Sequence, residues 1–286
     1  MSTPLVIRDR NAMRNLILTN QEIGRRIGFV PTMGSLHAGH TSLVDCAVAE
    51  CDDVVTSIFV NPSQFGPQED FERYPRDFDA DFNLLAQHDV RWIFAPDVHE
   101  MYPPGDSTRI EISGPAEPYE GQLRPGHFSG VATIVLRLLQ SAPAHSVYFG
   151  AKDWQQILVV RQMVHDLGLD VEVMTCPIVR DKNGLALSSR NAYLSESDRT
   201  RAQTIYSALQ QAEQNWCRGL AIDKIERNVR DMLSAKEIRI DYADIVHAES
   251  LKKISEGSRN TPAIFLIACH VGSTRLIDNI LLPSQA

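Results

Sequence analysis

The first 180 residues alternate between apolar runs and amphipathic stretches. Continuous apolar runs, which are typical of strands buried on both faces, occupy residues 27–31, 54–60, 92–95, 146–149 and 171–175. Apolar positions at helical spacing lie around them, in residues 8–23, 38–50, 78–87, 129–141 and 154–167. This alternation predicts an α/β domain over residues 1–180, with a doubly wound parallel sheet and right-handed crossovers.

The pattern changes after residue 180. Residues 177–191 contain turn signals and are interpreted as a hinge. Two polar amphipathic helices are predicted over residues 196–218 and 222–234, followed by strands over 238–247, 263–270 and 275–281. The sequence therefore predicts a smaller α+β domain over residues 181–286.

Composition excludes several classes of function. The chain has 286 residues, a formal net charge of −8 and no basic block, which argues against nucleic acid as the main partner. No apolar run approaches the ~20 residues that span a bilayer, and residues 1–10 contain no signal-peptide core. Five cysteines without a C-x-x-C motif indicate reduced, buried thiols in a cytoplasmic protein.

The most informative stretch leads from the first predicted apolar strand into a helix. It turns through Gly34 and presents His37 and His40 at the start of the helix. Unpaired backbone N–H groups and the helix dipole favour an anion there, and Gly39 leaves room for a phosphate. A pair of capping histidines would explain the same spacing without any ligand.

Four other loops contain polar groups that suit a nucleotide or a small acid. Ser188, Ser189 and Arg190 suit a polyphosphate, as does Lys152 after Gly150, with Asp153 beside it for a ribose. The amides of Asn61 and Gln64 could orient a hydroxy acid, and Arg124 and His127 precede an apolar helix. Ordinary turns and helix caps are the alternative for each loop. The carboxylates over residues 69–81 are interpreted as a solvated face rather than a metal site.

Taken together, these stretches resemble the pantoate–β-alanine ligase (pantothenate synthetase) family of the H-x-G-H nucleotidyltransferases. The resemblance runs nearly end to end and rests on the following segments: Pro31-Thr32-Met33-Gly34, Leu36-His37, Gly39-His40, Phe59-Val60-Asn61-Pro62, Gln64-Phe65, Tyr74-Pro75-Arg76, Arg124-Pro125-Gly126-His127-Phe128, Phe149-Gly150, Lys152-Asp153, Gln155-Gln156, residues 184–191 and residues 274–279.

This resemblance implies an ATP-dependent ligation in two steps. Pantoate would attack the α-phosphorus of ATP, pyrophosphate would leave, and the amine of β-alanine would then attack the pantoyl adenylate to give pantothenate and AMP. The resemblance also implies Mg²⁺ bound through the ATP phosphates rather than by protein ligands. By analogy with the family we expect a homodimer.

Roles follow from the resemblance for individual residues. The catalytic set it implies is His40, His37, Lys152, Ser188, Ser189 and Arg190. The ATP-binding set adds Met33, Gly34, Ser35, Leu36, Ala38, Gly39, Gly150, Ala151, Asp153, Val179 and Leu187. The set for pantoate and β-alanine is Gln64, Gln156, Asn61, Met33, His127 and Val131. No metal ligand is implied. The sequence departs from the family pattern at Ala151 and Leu187, where Glu and Met are usual, and neither departure removes a catalytic group.

Three other functions share part of this pattern. A nucleotidyltransferase for a phosphate ester would need more basic residues at the acceptor side. A class I tRNA synthetase would need a basic anticodon-binding domain, for which the acidic chain has no room. A non-catalytic nucleotide-binding protein of the same fold would not need His37, His40, Lys152 and Arg190 together.

Overall fold

The computed structural model describes residues 3–67 and 69–285, and the chain divides into two compact units. Unit 1 consists of Met1–Ala151 and Gln155–Pro177, and unit 2 consists of Lys152–Trp154 and Ile178–Ala286. The expectation that residues 1–10 contain no signal peptide falls partly on Met1 and Ser2, which lie outside the described residues.

Unit 1 contains one parallel sheet. Among the described residues its strands are β1 (Leu5–Ile7), β2 (Ile27–Thr32), β3 (Asp53–Ile58), β4 (Trp92–Phe94), β5 (Ser146–Gly150) and β6 (Glu172–Cys176). Their order in the sheet is β1-β4-β3-β2-β5-β6. Every recorded pairing is parallel, so the chain must cross from one end of the sheet to the other between strands.

Helices provide these crossovers. They are α1 (Arg10–Glu22), α2 (Ala38–Glu50), α3 (Phe78–Leu85), α4 (Val98–Met101), α5 (Glu120–Leu123), α6 (His127–Ser141) and α7 (Trp154–Asp166). Two apolar clusters cover the sheet, one around Phe29 with α1 and α6, and the other around Val30 with α2. The predicted doubly wound α/β fold is therefore confirmed.

The strand order reverses at β2, which pairs with β3 on one side and β5 on the other. In open α/β sheets a ligand binds at such a switch point, outside the carboxyl ends of the strands. The turn after β2, which contains His37 and His40, begins at this point. The loop of Asn61 follows β3 at the same edge of the sheet.

Unit 2 is built on an antiparallel sheet. Its strands β7 (Arg239–His247), β8 (Ala263–Val271) and β9 (Thr274–Leu282) pair in sequence order, and α8 (Glu196–Cys217) and α9 (Ile222–Ser234) pack on them. Trp216 and Phe265 belong to its apolar core, and both are fully buried. The predicted smaller α+β domain is confirmed as an architecture.

Three local expectations need correction. Strand β1 was not predicted, because its three residues are too few to form a recognisable pattern. It joins the sheet by pairing with β4. Short helices α4 and α5 were not predicted either; they lie between the strand predicted over residues 92–95 and the helix predicted over residues 129–141. All five cysteines are free, but only Cys176 and Cys269 are buried, and Cys217 is exposed.

No helix in residues 3–67 or 69–285 is both long and apolar enough to cross a membrane.

Candidate active site

His37 closes the turn between β2 and α2. It is the N-cap of α2, and its Nδ1 accepts a hydrogen bond from the backbone N–H of Gly39 at 3.1 Å. Its carbonyl oxygen accepts from the N–H of His40 at 2.7 Å, which starts the helix. Because Nδ1 is an acceptor, the neutral ring bears its proton on Nε2 and can donate from that atom.

The two histidine rings of this turn lie against each other. Their centroids are 4.1 Å apart and their planes are inclined by 32°. Both side chains are partly exposed at the N-terminal end of α2. The arrangement presents two imidazoles and a helix N-terminus to the same point, which suits a phosphate.

Backbone amides contribute less to this site than the sequence predicts. The N–H groups of Ser35 and Leu36 donate to Asp81, and the N–H of Gly39 donates to His37. The expectation of unpaired amides is therefore wrong for these three residues. The imidazoles and the dipole of α2 remain as the groups that favour an anion.

The loop after β3 is held by a buried amide. Asn61 is 1% exposed; its Oδ1 accepts from the N–H of Ser63 and from the Tyr102 hydroxyl, and its Nδ2 donates to Gln64 Oε1 at 3.1 Å. Gln64 in turn donates from Nε2 to Met33 Sδ at 3.0 Å. Asn61 thus orients Gln64, and the Gln64 side chain lies beside Met33.

Helix α6 holds the same loop from the other side. A Cβ on Gly130 would lie 2.2 Å from the carbonyl oxygen of Ser63, so only glycine permits this close approach of helix and loop. Asn61 Nδ2 also donates to the carbonyl oxygen of Gly130 at 3.2 Å. The next residue, Val131, is buried in the apolar core.

His127, at the start of α6, has both ring nitrogens engaged within the protein. Its Nδ1 lies 2.8 Å from the carbonyl oxygen of Gln64, and its Nε2 lies 2.9 Å from Arg124 Nη1. A carbonyl can only accept and a guanidinium can only donate, so Nδ1 bears the proton and Nε2 accepts. Burial, followed by the charge of Arg124, lowers the pKa of His127 to about 4. The imidazole is therefore neutral at pH 7.

Arg124 is held in turn by Glu69. Its Nε and Nη2 contact the two carboxylate oxygens of Glu69 at 2.6 and 2.7 Å. Burial acts to raise the pKa of Glu69, but the hydrogen bonds and charge of Arg124 outweigh it and leave that pKa below its usual range. Glu69, Arg124 and His127 form a chain of contacts that ends on the Gln64 loop.

In unit 2, a tight hairpin leads into the Ser188 turn. Val179 and Leu187 are joined by a backbone hydrogen bond of 2.9 Å, and Arg180 bridges Ala186. Ser188 is the N-cap of a short 3₁₀ helix, Ser189–Tyr193, and its hydroxyl accepts from the N–H of Arg190. Ser188, Ser189 and Arg190 are all partly exposed.

A buried ion pair supports this hairpin. Arg180 contacts the two carboxylate oxygens of Asp278 at 2.6 and 2.9 Å, and its guanidinium lies 3.9 Å from the centroid of the Tyr206 ring. Burial acts to raise the pKa of Asp278, and the pair with Arg180 opposes that effect without cancelling it. The pair ties the hairpin to β9.

Lys152 and Asp153 also belong to unit 2. Lys152 Nζ lies 2.8 Å from Asp153 Oδ1, and the Lys152 carbonyl oxygen accepts from Asn279 Nδ2 at 3.0 Å. The strand that contains Asn279, β9, also contacts the 3₁₀ helix after Ser188. Unit 2 therefore contains the residues expected to bind the β- and γ-phosphates of ATP, while unit 1 contains the two histidines and the loop of Asn61 and Gln64.

Comparisons with known proteins agree with this geometry. The family model described as Pantoate-beta-alanine ligase matches residues 5–281. A pantothenate synthetase from Thermotoga neapolitana is 48% identical over 264 residues, which cover 92% of this chain and 94% of that protein. The chain belongs to the pantoate–β-alanine ligase family.

Solved structures of the family have the same fold. A pantothenate synthetase from Thermus thermophilus superposes with a TM-score of 0.92 at 44% identity, covering 98% of this chain and 100% of that one. The pantoate-beta-alanine ligase of Francisella tularensis, solved with Beta-gamma ATP and beta-alanine, gives 0.80 at 34% identity, with 97% of each chain covered.

The remaining predicted site residues of this ligase lie at element ends. Gly150 ends β5, Ala151 begins the 3₁₀ helix that follows, and Gln156 lies partly exposed in the first turn of α7. Ala38 is the first residue of α2. These positions agree with ligand contact but do not test it, so the predicted site roles remain predictions.

Two carboxylates of this ligase have roles that the sequence did not reveal. Glu69 is paired with Arg124, and Asp81 is 4% exposed on α3, although both lie in the stretch interpreted as a solvated face. That interpretation is wrong for these two residues. The spacing of α3 offered one signal, because Asp81 falls on the same helical face as Phe78 and Leu85.

Proposed function

We propose that this chain ligates pantoate to β-alanine with consumption of ATP, through a pantoyl adenylate. The match to the family over residues 5–281 is the observation that supports these substrates. The Francisella tularensis relative, which was solved with Beta-gamma ATP and beta-alanine, agrees with two of the three. The roles of individual residues are proposed below from the family resemblance and from the contacts of the described residues.

In the first step, a carboxylate oxygen of pantoate attacks the α-phosphorus of ATP. The bond from that phosphorus to the bridging oxygen breaks, and pyrophosphate leaves with the electron pair. His37 and His40 hydrogen-bond the α-phosphate oxygens, where negative charge grows in the transition state. His37 donates from Nε2, since its Nδ1 already accepts from Gly39.

In the second step, the deprotonated amine of β-alanine attacks the carbonyl carbon of the adenylate. The bond to the phosphate oxygen breaks, AMP leaves, and the nitrogen loses a proton as the amide forms. The acyl adenylate is sensitive to hydrolysis, so exclusion of water is part of the function.

Lys152, Ser188, Ser189 and Arg190 hold the β- and γ-phosphates in this proposal. MgATP is the substrate, and the ion is bound through the phosphates. The described part of the chain contains no group of three or more His, Cys, Asp or Glu side chains that could hold a metal. Val179 and Leu187, paired through their backbones, are proposed to contact the nucleoside together with Asp153.

Gln64 and Gln156 bind the oxygens of pantoate in this proposal, and Met33 and Val131 pack on its methyl groups. Asn61 is fully engaged by Ser63, Tyr102, Gln64 and Gly130, so it acts through Gln64. His127, with both ring nitrogens engaged, likewise acts by holding the Gln64 loop rather than by binding β-alanine through its ring nitrogens.

Three further parts of the proposal rest on the sequence. The family resemblance implies a homodimer, and the cysteine content indicates the cytoplasm. Residues 1–180 bind ATP and pantoate, and residues 181–286, which contribute Ser188, Ser189 and Arg190, act as a lid. Light scattering of the purified protein tests the homodimer directly.

An AMP-release assay tests the reaction. The purified chain is given ATP, Mg²⁺, pantoate and β-alanine, with each of the four omitted in turn. We expect AMP release that requires all four and stops when EDTA removes the Mg²⁺. AMP release without β-alanine dependence would contradict the proposed function, and pantothenate identified by mass spectrometry completes the test.

A further inference from the structure

The turn that presents the histidines is anchored by a carboxylate outside the signature motif. Asp81, on α3, is 4% exposed. Its Oδ2 accepts from the N–H of Ser35 at 2.9 Å, and its Oδ1 accepts from the N–H of Leu36 at 2.7 Å. One side chain therefore binds two consecutive amides, one and two residues before His37.

The backbone of the turn is shaped for this contact. Gly34 and Ser35 both have positive φ, at 81° and 51°, and the successive N–H groups of Ser35 and Leu36 both donate to the Asp81 carboxylate. A Cβ on Gly34 would lie 2.8 Å from Asp81 Oδ2, so the glycine is needed both for its φ and for the close approach.

A buried carboxylate has a free-energy cost, which argues that Asp81 does more than fill space in the core. Burial acts first to raise its pKa, the amides of Leu36 and Ser35 oppose this, and Asp77 adds to the rise, which leaves the pKa above its usual range. Ser35 also has a conformational cost in the left-handed region. An apolar side chain at position 81 would avoid the cost of the buried carboxylate but would leave two amides of the turn without this acceptor.

We propose that Asp81 is a positioning residue for the adenylation step, because it fixes the turn that orients His37 and His40 toward the α-phosphate. This inference rests on the proposed function for the identity of the step. The contact lies just before the start of α2, where His37 is the N-cap and His40 lies in the first turn. The two rings contact the phosphate best in the transition state, so a loosened turn lowers kcat more than it weakens binding.

Two variants and a matched control test this proposal. Asp81→Asn keeps one acceptor and replaces the other with an NH₂ group that faces an N–H, while Asp81→Ala removes both. Asp79→Asn removes a carboxylate on the exposed side of the same helix. For each variant the fraction of active sites is titrated, and kcat is measured per active site together with the KM values for ATP and pantoate.

We expect Asp81→Asn to lower kcat per active site by about 10- to 100-fold and Asp81→Ala to lower it further. The KM for pantoate should change less than about twofold in both, because the Gln64 loop is held by other contacts. The control should match the parent chain. A purely structural role would reduce the active fraction and leave kcat per active site unchanged, and that result would overturn the proposal.

A spectroscopic readout separates this proposal from the proposed function. NMR titration of the imidazole signals of His37 and His40 reports their surroundings whether or not the chain makes pantothenate. We expect Asp81→Asn to shift both titrations and Asp79→Asn to leave them unchanged. Unaltered titrations in Asp81→Asn would reject the positioning role, while a parent chain without β-alanine-dependent AMP release would reject only the proposed reaction.

Discussion

The Nδ1 of His127 lies 2.8 Å from the carbonyl oxygen of Gln64, so the first residue of α6 holds the loop proposed to bind pantoate. The other ring nitrogen accepts from Arg124, which Glu69 holds in turn. A histidine that resembles a substrate ligand in the sequence therefore contacts the protein through both nitrogens. Its proposed influence on the substrate passes through Gln64.

Replacing His127 with Ala should weaken pantoate binding more than ATP binding. The variant removes the hydrogen-bond donor to the Gln64 carbonyl oxygen. The backbone of Gln64 is then held less firmly, and its side chain is less well oriented toward pantoate. We expect the KM for pantoate to rise about 10-fold, which corresponds to about 1.4 kcal/mol, with the KM for ATP changed less than about twofold. His165→Ala, an exposed histidine on α7, is the control. Equal rises in both KM values would argue against an influence of His127 on pantoate binding through Gln64.

The same histidine makes stability depend on pH. Its pKa of about 4 in the folded chain lies below the ordinary value of 6.5, so between these values the unfolded chain binds a proton that the folded chain does not. Acidification through this window therefore favours unfolding. Between pH 7 and pH 4.5, the parent chain should lose roughly 1 to 3 kcal/mol more unfolding free energy than His127→Asn.

Urea unfolding at each pH measures this difference. His165→Asn should follow the parent chain, because its ring is exposed. Parallel losses in the parent chain and His127→Asn would show that His127 does not cause the effect.

Gly130 should tolerate no side chain. A Cβ there would meet the carbonyl oxygen of Ser63 at 2.2 Å, and backbone cannot move aside without disturbing the loop. We expect Gly130→Ala to lower the unfolding free energy by about 1 to 3 kcal/mol and to raise the KM for pantoate. Gly257→Ala is the matched control, since a Cβ there meets nothing within 4 Å. Similar unfolding free energies for the two variants would mean that the loop of Ser63 can move to accommodate a Cβ without loss of stability.

Much of the fold could be predicted from the sequence because its signals are local. The apolar runs of β2 and β3 and the helical spacing of α2 predicted these elements to within two residues at each end. The three residues of β1 give too short a pattern to recognise, and that strand exists because β4 lies beside it. A local sequence pattern therefore cannot predict a strand that depends on pairing with a strand distant in the sequence.

The site was predictable in its residue types but not in its internal contacts. His37, Gln64 and Arg190 were singled out from their motifs, whereas the anchors Asp81 and Glu69 were assigned to a solvated face. A carboxylate reveals its partner only in the folded chain, since Asp81 binds amides 46 and 45 residues away. Hydrogen bonds between distant segments leave no periodic trace in the sequence.

His40 should contribute more to turnover than to nucleotide affinity. In the proposed reaction its contact with the α-phosphate strengthens as charge develops, so its loss raises the barrier more than it weakens the ground state. We expect His40→Ala to lower kcat by about 100- to 1000-fold, with ATP affinity by calorimetry changed less than about 10-fold. His37→Ala gives the comparison within the pair. Equal losses of turnover and affinity would assign His40 to binding alone.

Asp278 should be essential to the hairpin that leads to Ser188. Its side chain is 3% exposed, and both of its oxygens contact Arg180. Asp278→Asn leaves the Arg180 cation buried without its counter-charge, so we expect a loss of about 3 to 5 kcal/mol in unfolding free energy. Glu172→Gln, which breaks the exposed pair with Arg26, should cost less than about 1 kcal/mol. Thermal and urea unfolding of both variants measure the difference, and comparable losses would show that burial does not strengthen the Arg180 pair.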